Sequence, residues 1–144
     1  MLVQQILKSK SDQSVVTVSP ATLVSAAAKI LADKGIGTVV VTDDGETPSG
    51  ILSERDIVRE LALRGATCLS DAVSDYMTAN PTCAEMTDDA DKVLGIMTEG
   101  RFRHMPVVSE GKMVGIVTLG DVVKAKLTEL AMEKNALEGM IMGH

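Results

Sequence analysis

Two pairs of side chains, Ser53 with Asp56 and Thr118 with Asp121, are the residues of this sequence best suited to bind a ligand. Within each pair a hydroxyl lies three residues before a carboxylate. A carboxylate can accept hydrogen bonds from two adjacent hydroxyls, as an acidic residue does for ribose in dinucleotide folds. The same spacing also fits a helix capping box, in which each side chain bonds the other residue's backbone N–H. The spacing alone leaves both interpretations open.

The two pairs belong to a longer internal repeat. Residues 50–58 return as residues 115–123, and each copy reads glycine, two apolar residues, a hydroxyl residue, two variable residues, aspartate and two apolar residues. A repeat that keeps its polar residues in register indicates a repeated site as well as a repeated scaffold. Halves of about 65 residues are marginal on their own, so we expect the two to pack on each other.

Apolar periodicity and turn residues give both halves the same order of elements, namely short strand, helix, strand, strand and helix. Ser19 and Pro20 predict the N-cap and first residue of one helix, and Gly35 predicts its end. The predicted helices span about 22–34, 54–64, 88–100 and 119–131, and the longer strands span 38–42, 49–52, 105–108 and 113–117. We predict a first repeat with an N-terminal segment at 1–66, a linker and second repeat at 67–126, and a helical tail at 127–144.

The doubled glycine-to-aspartate segment, the Met-Pro-Val-Val run at 105–108 and the Tyr-Met-Thr-x-x-Pro pattern at 76–81 together resemble the CBS domain family. Two copies in tandem look like a complete CBS pair. The resemblance implies an α+β fold of two pseudo-symmetric βαββα repeats with two clefts between them. It also implies that a cleft holds an adenosine-containing ligand, namely AMP, ADP, ATP, NAD or S-adenosylmethionine, with no cofactor required.

The resemblance assigns residues to each cleft. Ser53 and Asp56 would hold one ribose, and Thr118 and Asp121 the other. The remaining residues implied for the Asp56 cleft are Ile51, Met77, Pro81 and Thr82, with His104 facing the phosphates. Those implied for the Asp121 cleft are Val15, Val16, Ile36, Gly37, Thr38 and Ile116, with Arg103 near the phosphates.

Basic residues near the motif have two interpretations. Arg55 could reach a phosphate, or it could be an exposed helical residue paired with an acid such as Glu54. The second copy has Gly120 at this position, which removes one cation. Arg101, Arg103 and His104 form a compact basic cluster, which could bind phosphates or could simply be solvated.

Composition and motif content argue against several classes of function. A net charge of −6 argues against nucleic-acid binding, which needs a basic surface. Cys68 and Cys83 are isolated, so a zinc site is not expected. No P-loop, nucleophile elbow or paired catalytic carboxylates are recognisable, so we do not expect an enzyme. The apolar runs are too short for a membrane span and no signal peptide is recognisable, so we expect a cytoplasmic protein.

Three hypotheses follow: a ligand sensor that changes conformation, a ligand-independent interaction scaffold, and an enzyme. For the first two we expect a homodimer formed through the helices and the tail. The sensor would act on an effector protein that the sequence does not identify.

Overall fold

Two βαββα repeats make up the computed structural model, which describes residues 1–11 and 14–141. The predicted α+β class is confirmed. The first half contains α1 (Val3–Ser9), β1 (Thr17–Val18), α2 (Val24–Lys34), β2 (Thr38–Val41), β3 (Gly50–Ser53) and α3 (Glu54–Arg64). Short 3-10 turns at Gly65–Ser70 and Val73–Asp75 lead to β4 (Thr78–Ala79). The second half contains β5 (Ala84–Glu85), α4 (Ala90–Gly100), β6 (His104–Ser109), β7 (Lys112–Thr118) and α5 (Leu119–Ile141).

Each half has its own small sheet with the same core topology. The first sheet has the order β1-β2-β3-β4 and the second has the order β5-β6-β7. The antiparallel register pairs Thr38 with Ser53 in the first sheet and His104 with Thr118 in the second. In the first half, the start of β2 therefore lies beside Ser53, the hydroxyl residue that ends β3. In the second half, the start of β6 lies beside Thr118, the hydroxyl residue that ends β7.

The segment that precedes each half packs against the other half. From α1, Val3, Ile6 and Leu7 are buried in the core formed by α4, α5 and the second sheet. In the equivalent position Val73 is buried in the core of the first half, and Met77 packs against it. Short bridges pair residue 2 with residue 89 and residue 23 with residue 72, which fixes both crossings. The core of each half is thus completed by the segment that precedes the other half.

The glycine that opens each repeated motif gives room to this crossing segment. A Cβ at Gly50 would lie 2.3 Å from the Met77 sulfur, and a Cβ at Gly115 would lie 2.8 Å from Leu7 Cδ2. Both distances are shorter than real Cβ contacts allow. Packing of the crossing segment therefore explains why both copies of the motif begin with glycine.

Among the element boundaries that differ from the sequence-based prediction, two have an identifiable cause. The helix expected to start at Ser19 and Pro20 begins only at Val24, because Ser19 and Thr22 form a turn in which the Thr22 N–H bonds the Ser19 carbonyl at 3.0 Å. The helix expected at 119–131 continues to Ile141 as part of α5, since strong helix formers extend it through the predicted tail. Residues 142–144 of that tail lie outside the described residues.

Candidate functional site

A cavity of about 640 Å³ opens between the two halves beside the first motif. Its walls come from the start of β2, the junction of β3 and α3, the linker after β4, and the loop between α4 and β6. The lining residues are Gly37, Thr38, Ile51, Ser53, Glu54, Arg55, Asp56, Arg59, Thr78, Asn80, Pro81, Thr82, Gly100, Arg101, Phe102, Arg103 and His104. We call this space the first cleft.

Ser53 and Asp56 form a complete capping box at the start of α3. The Asp56 N–H donates to Ser53 Oγ at 3.2 Å, and the Ser53 N–H donates to Asp56 Oδ2 at 2.8 Å. The other oxygen, Asp56 Oδ1, accepts a hydrogen bond from Arg59 Nη2 at 2.8 Å. The cap interpretation is therefore geometrically correct. It does not use up the carboxylate, because each oxygen has two lone pairs and Asp56 also lines the first cleft.

A buried hydroxyl without a partner lies in the same wall. Thr38 is 7% exposed, and among the described residues its Oγ1 has no hydrogen-bond partner. A buried polar atom left unpaired costs about 1–3 kcal/mol. Thr38 lines the first cleft, so a ligand with a polar group at this position could remove that cost.

Basic side chains ring the first cleft. Arg55, Arg101, Arg103 and His104, all noted in the sequence, line it together with Arg59, which the sequence analysis missed. Arg59 lies one helical turn after Arg55 on α3, and this spacing is the signal that could have found it. Glu54 and Asp56 are the acidic residues in the wall. The arrangement suits an anionic group such as a phosphate.

His104 lies between the two motifs. Burial lowers its pKa below the ordinary value of 6.5, and this outweighs the opposing effects of Glu54 and Asp121. Lys10 and Arg103 lower the pKa further. The imidazole is therefore neutral at pH 7 and can accept or donate one hydrogen bond.

The first cleft contains residues that the resemblance had divided between two clefts. Gly37, Thr38 and Arg103 had been matched to the Asp121 cleft, yet they line the cavity beside Asp56. The strand register explains the placement of the first two, because Thr38 pairs with Ser53 at the end of β3. Ile51, Pro81 and Thr82 line the first cleft as expected.

Three other expected residues contact the core of the first half. Met77, expected in the first cleft, packs against this core and is absent from the lining of the cleft. Val16 and Ile36, expected in the Asp121 cleft, also pack against this core. Val15, which precedes β1, is half-buried. For Met77 the reason is the crossing of the preceding segment, which places its side chain over Gly50.

The second motif repeats the capping box and adds one contact. The Thr118 N–H donates to Asp121 Oδ2 at 2.9 Å, and the Asp121 N–H donates to Thr118 Oγ1 at 3.1 Å. Lys10 Nζ lies 2.9 Å from Asp121 Oδ2 and donates to the Ile116 carbonyl at 2.9 Å. Burial alone would raise the pKa of Asp121, but Lys10 and the Thr118 N–H hold it below its ordinary value.

Comparison with known proteins gives the class of this chain. The CBS domain model matches residues 5–63 and again residues 73–128. The chain therefore belongs to the CBS domain family and carries the domain as a tandem pair. Within residues 1–11 and 14–141 no helix combines the length and apolar character needed to cross a membrane.

Particular relatives share the whole pair. The CBS-domain protein ATU1752 from Agrobacterium tumefaciens is 41% identical, with a TM-score of 0.82 over 88% of this chain and 99% of that one. The mitochondrial CBS domain-containing protein CBSX3 of Arabidopsis thaliana is 33% identical over 121 residues, which are 81% of this chain and 59% of CBSX3. The chain thus spans less than two thirds of that relative's length.

Two similar structures were solved with ligands. PAE2072 from Pyrobaculum aerophilum was complexed with AMP; it is 25% identical, with a TM-score of 0.77 over 92% of this chain and 99% of that one. The CBS pair of protein MJ0100 was complexed with 5-methylthioadenosine and S-adenosylmethionine; it is 26% identical, with a TM-score of 0.77 over 90% and 98%. Both complexes contain adenosine derivatives.

Proposed function

We propose that this protein is a regulatory module that binds an adenosine-containing ligand in the first cleft and signals by a change of conformation. The observation that carries the proposal is the buried, unpartnered Thr38 hydroxyl in a cavity that also presents Asp56 and a ring of cations. The adenosine ligands of PAE2072 and MJ0100 support the same class of ligand.

The proposed ligand pose follows from the chemistry of the walls. The ribose hydroxyls donate to Asp56 Oδ1, which requires Arg59 to release it. Arg59 can do so at little cost, because its side chain is 57% exposed and its surface ion pair contributes little stability. The phosphates of AMP, ADP, ATP or NAD then lie among the basic side chains. The purine packs between Ile51 and Pro81.

A ligand in the first cleft would contact residues of both halves. It can shift the conformation only by its different affinity for the two states. We propose that the chain forms a homodimer in the cytoplasm, that it catalyses no reaction itself, and that an effector protein responds to the shift. A phosphate-bearing ligand is favoured over S-adenosylmethionine, because the sulfonium cation of S-adenosylmethionine would meet the cations that favour a phosphate.

Calorimetric titration with AMP, ATP, NAD and S-adenosylmethionine tests the proposal. We expect micromolar binding of at least one ligand, weakened more than tenfold in Asp56→Asn. Asparagine keeps the side-chain oxygen that accepts the Ser53 N–H, so the cap survives while the charge is lost. The matched control is Asp89→Asn, which makes the same change at the N-cap of α4, outside the first cleft.

The alternative is a ligand-independent dimeric scaffold. It is favoured by the two complete capping boxes, which give both aspartates a purely structural role. On this alternative no ligand produces heat, and Asp56→Ala lowers the free energy of unfolding by about 1 kcal/mol through loss of the cap. Binding that disappears in Asp56→Asn with unchanged stability would reject the scaffold.

A further inference from the structure

Lys10 and Asn80 occupy equivalent places before the two halves. Leu7 and Met77 are the equivalent side chains packed against the motif glycines, and Lys10 and Asn80 each follow three residues later. Asn80 borders the first cleft, where its backbone N–H bonds the Ser49 carbonyl at 3.1 Å. The pseudo-symmetry therefore predicts that Lys10 lies at the second motif, and the structure places it there.

Lys10 occupies two hydrogen-bond acceptors at the second motif, one of which is the carboxylate expected to bind a ligand there. Its ammonium group lies 2.9 Å from both Asp121 Oδ2 and the Ile116 carbonyl. Their counterparts in the first half are Asp56 and Ile51, which line an open cavity. The Lys10 and Asp121 side chains are only 19% and 23% exposed, so solvent screens their ion pair weakly.

Lys10 differs from Arg59 in how easily it can leave. Arg59 bonds Asp56 from within the same helix and is 57% exposed, so it can rotate into solvent. Lys10 is the C-cap residue of α1, and the rest of that helix is anchored in the second core by Val3, Ile6 and Leu7. Removal of Lys10 from Asp121 would leave a partly buried carboxylate without its cation.

We propose that Lys10 is a built-in occupant of the ligand position at Thr118 and Asp121, which makes the two motifs unequal as binding sites. The first cleft binds the adenosine ligand directly, whereas binding at Thr118 and Asp121 requires Lys10 to be displaced. This inference rests on the proposed function, because it concerns the same ligand class. The inference adds that Lys10 determines which of the two motifs binds the ligand.

Stoichiometry of AMP binding tests the inference in the full chain. Calorimetry should give one site per chain for the wild type and two for Lys10→Met, with at least a tenfold gain in affinity at the second site. Methionine keeps much of the length of lysine without its charge. The control is Lys8→Met, which removes an exposed lysine from the same helix and should leave one site.

Two further variants assign the sites. Asp56→Asn combined with Lys10→Met should retain a single site, and addition of Asp121→Asn should abolish it. One site in Lys10→Met that is lost in Asp56→Asn would overturn the role of Lys10 while leaving the proposed function intact. No binding of AMP, ATP, NAD or S-adenosylmethionine in any variant would overturn both. Loss of a wild-type second site in Lys10→Met would instead make Lys10 a ligand contact and reject the inference.

A readout without nucleotide checks the contact itself. Carbon-13 NMR of the aspartate carboxyl groups should show a higher pKa for Asp121 in Lys10→Met than in the wild type. An unchanged pKa would mean that the ammonium group does not occupy this position in solution, and would overturn the inference whatever the stoichiometry.

Discussion

His104 is the residue at which the two motifs meet. It lines the first cleft, and in the second sheet it pairs with Thr118, next to Asp121. Since burial lowers its pKa, the free protein holds it neutral. In the unfolded chain the group titrates near 6.5, so the free protein loses stability as the pH falls through that value.

A phosphate beside His104 would favour the protonated imidazole and raise its pKa. Binding would then take up a proton, so we expect AMP affinity to increase between pH 7.5 and pH 6.5, by at most about tenfold for one proton. Calorimetry at the two pH values measures this change. Adenosine, which has no phosphate, should show no such increase.

His104→Gln is the variant for this prediction. It keeps a hydrogen-bonding side chain of similar length and cannot gain a charge, so the affinity for AMP should become independent of pH in this range. A slope that persists in His104→Gln, or that adenosine shares, would contradict a phosphate next to the imidazole.

Much of the first cleft could be predicted at the scale of residues, but not all of it. Ser53 and Asp56 were found because their spacing recurs, and His104 because it lies directly before a strand. Lys10 was missed because its contact with Asp121 depends on tertiary packing, whereas Arg59 was missed although its helical spacing from Arg55 and Asp56 is a local signal. The unpartnered Thr38 hydroxyl was equally hidden, because burial and the absence of a partner are properties of the fold.

At the scale of elements, the crossing segments depend on the motif glycines. Gly115→Ala would force the Cβ against Leu7, whose side chain is buried in the second core. We expect the free energy of unfolding to fall by about 1–3 kcal/mol, the usual cost of overpacking. Denaturant titration followed by circular dichroism measures the change.

Gly95→Ala is the matched control for this substitution. Gly95 lies inside α4, and a Cβ there would meet nothing within 4 Å. Alanine should stabilise the helix by up to about 1 kcal/mol. Equal effects of the two substitutions would show that the contact with Leu7 does not explain Gly115.

Helix boundaries were predicted correctly where the residues that cause them are close in sequence, and wrongly where those residues are distant. The span of α3 was predicted correctly as 54–64, because its cap and its stop are both encoded within a few residues. The predicted start of α2 was wrong, since the Ser19–Thr22 turn is followed by the pairing of Leu23 with Ala72 in the crossing segment, and the helix begins only after this pairing. Long-range pairing of this kind leaves little trace in local sequence.

At the scale of the whole molecule, α5 carries an apolar stripe that stays exposed within residues 1–11 and 14–141. Val123, Leu127, Leu130, Leu137 and Ile141 recur at intervals of three, four or seven residues, and each is at least 40% exposed. Such spacing is typical of a helix that packs against another helix. The stripe fits the proposed homodimer.

Charge within the stripe should dissociate the proposed homodimer. We expect Leu127→Glu combined with Leu130→Glu to reduce the mass measured by light scattering from two chains to one at micromolar concentration. Met132→Glu on the other side of α5 should leave the dimer intact, because Met132 lies outside the stripe and is 64% exposed. A wild-type protein with the mass of one chain would contradict the homodimer itself.

The crossing of the N-terminal segment also sets an order on folding during synthesis. Helix α1 is translated well before its packing partners, which extend to Ala125. The first core likewise needs Val73, which follows the whole first half. A ribosome that stalls after residue 66 would therefore hold a chain with two unfilled apolar surfaces, of the kind that chaperones bind. Neither core can form completely until most of both halves has been translated.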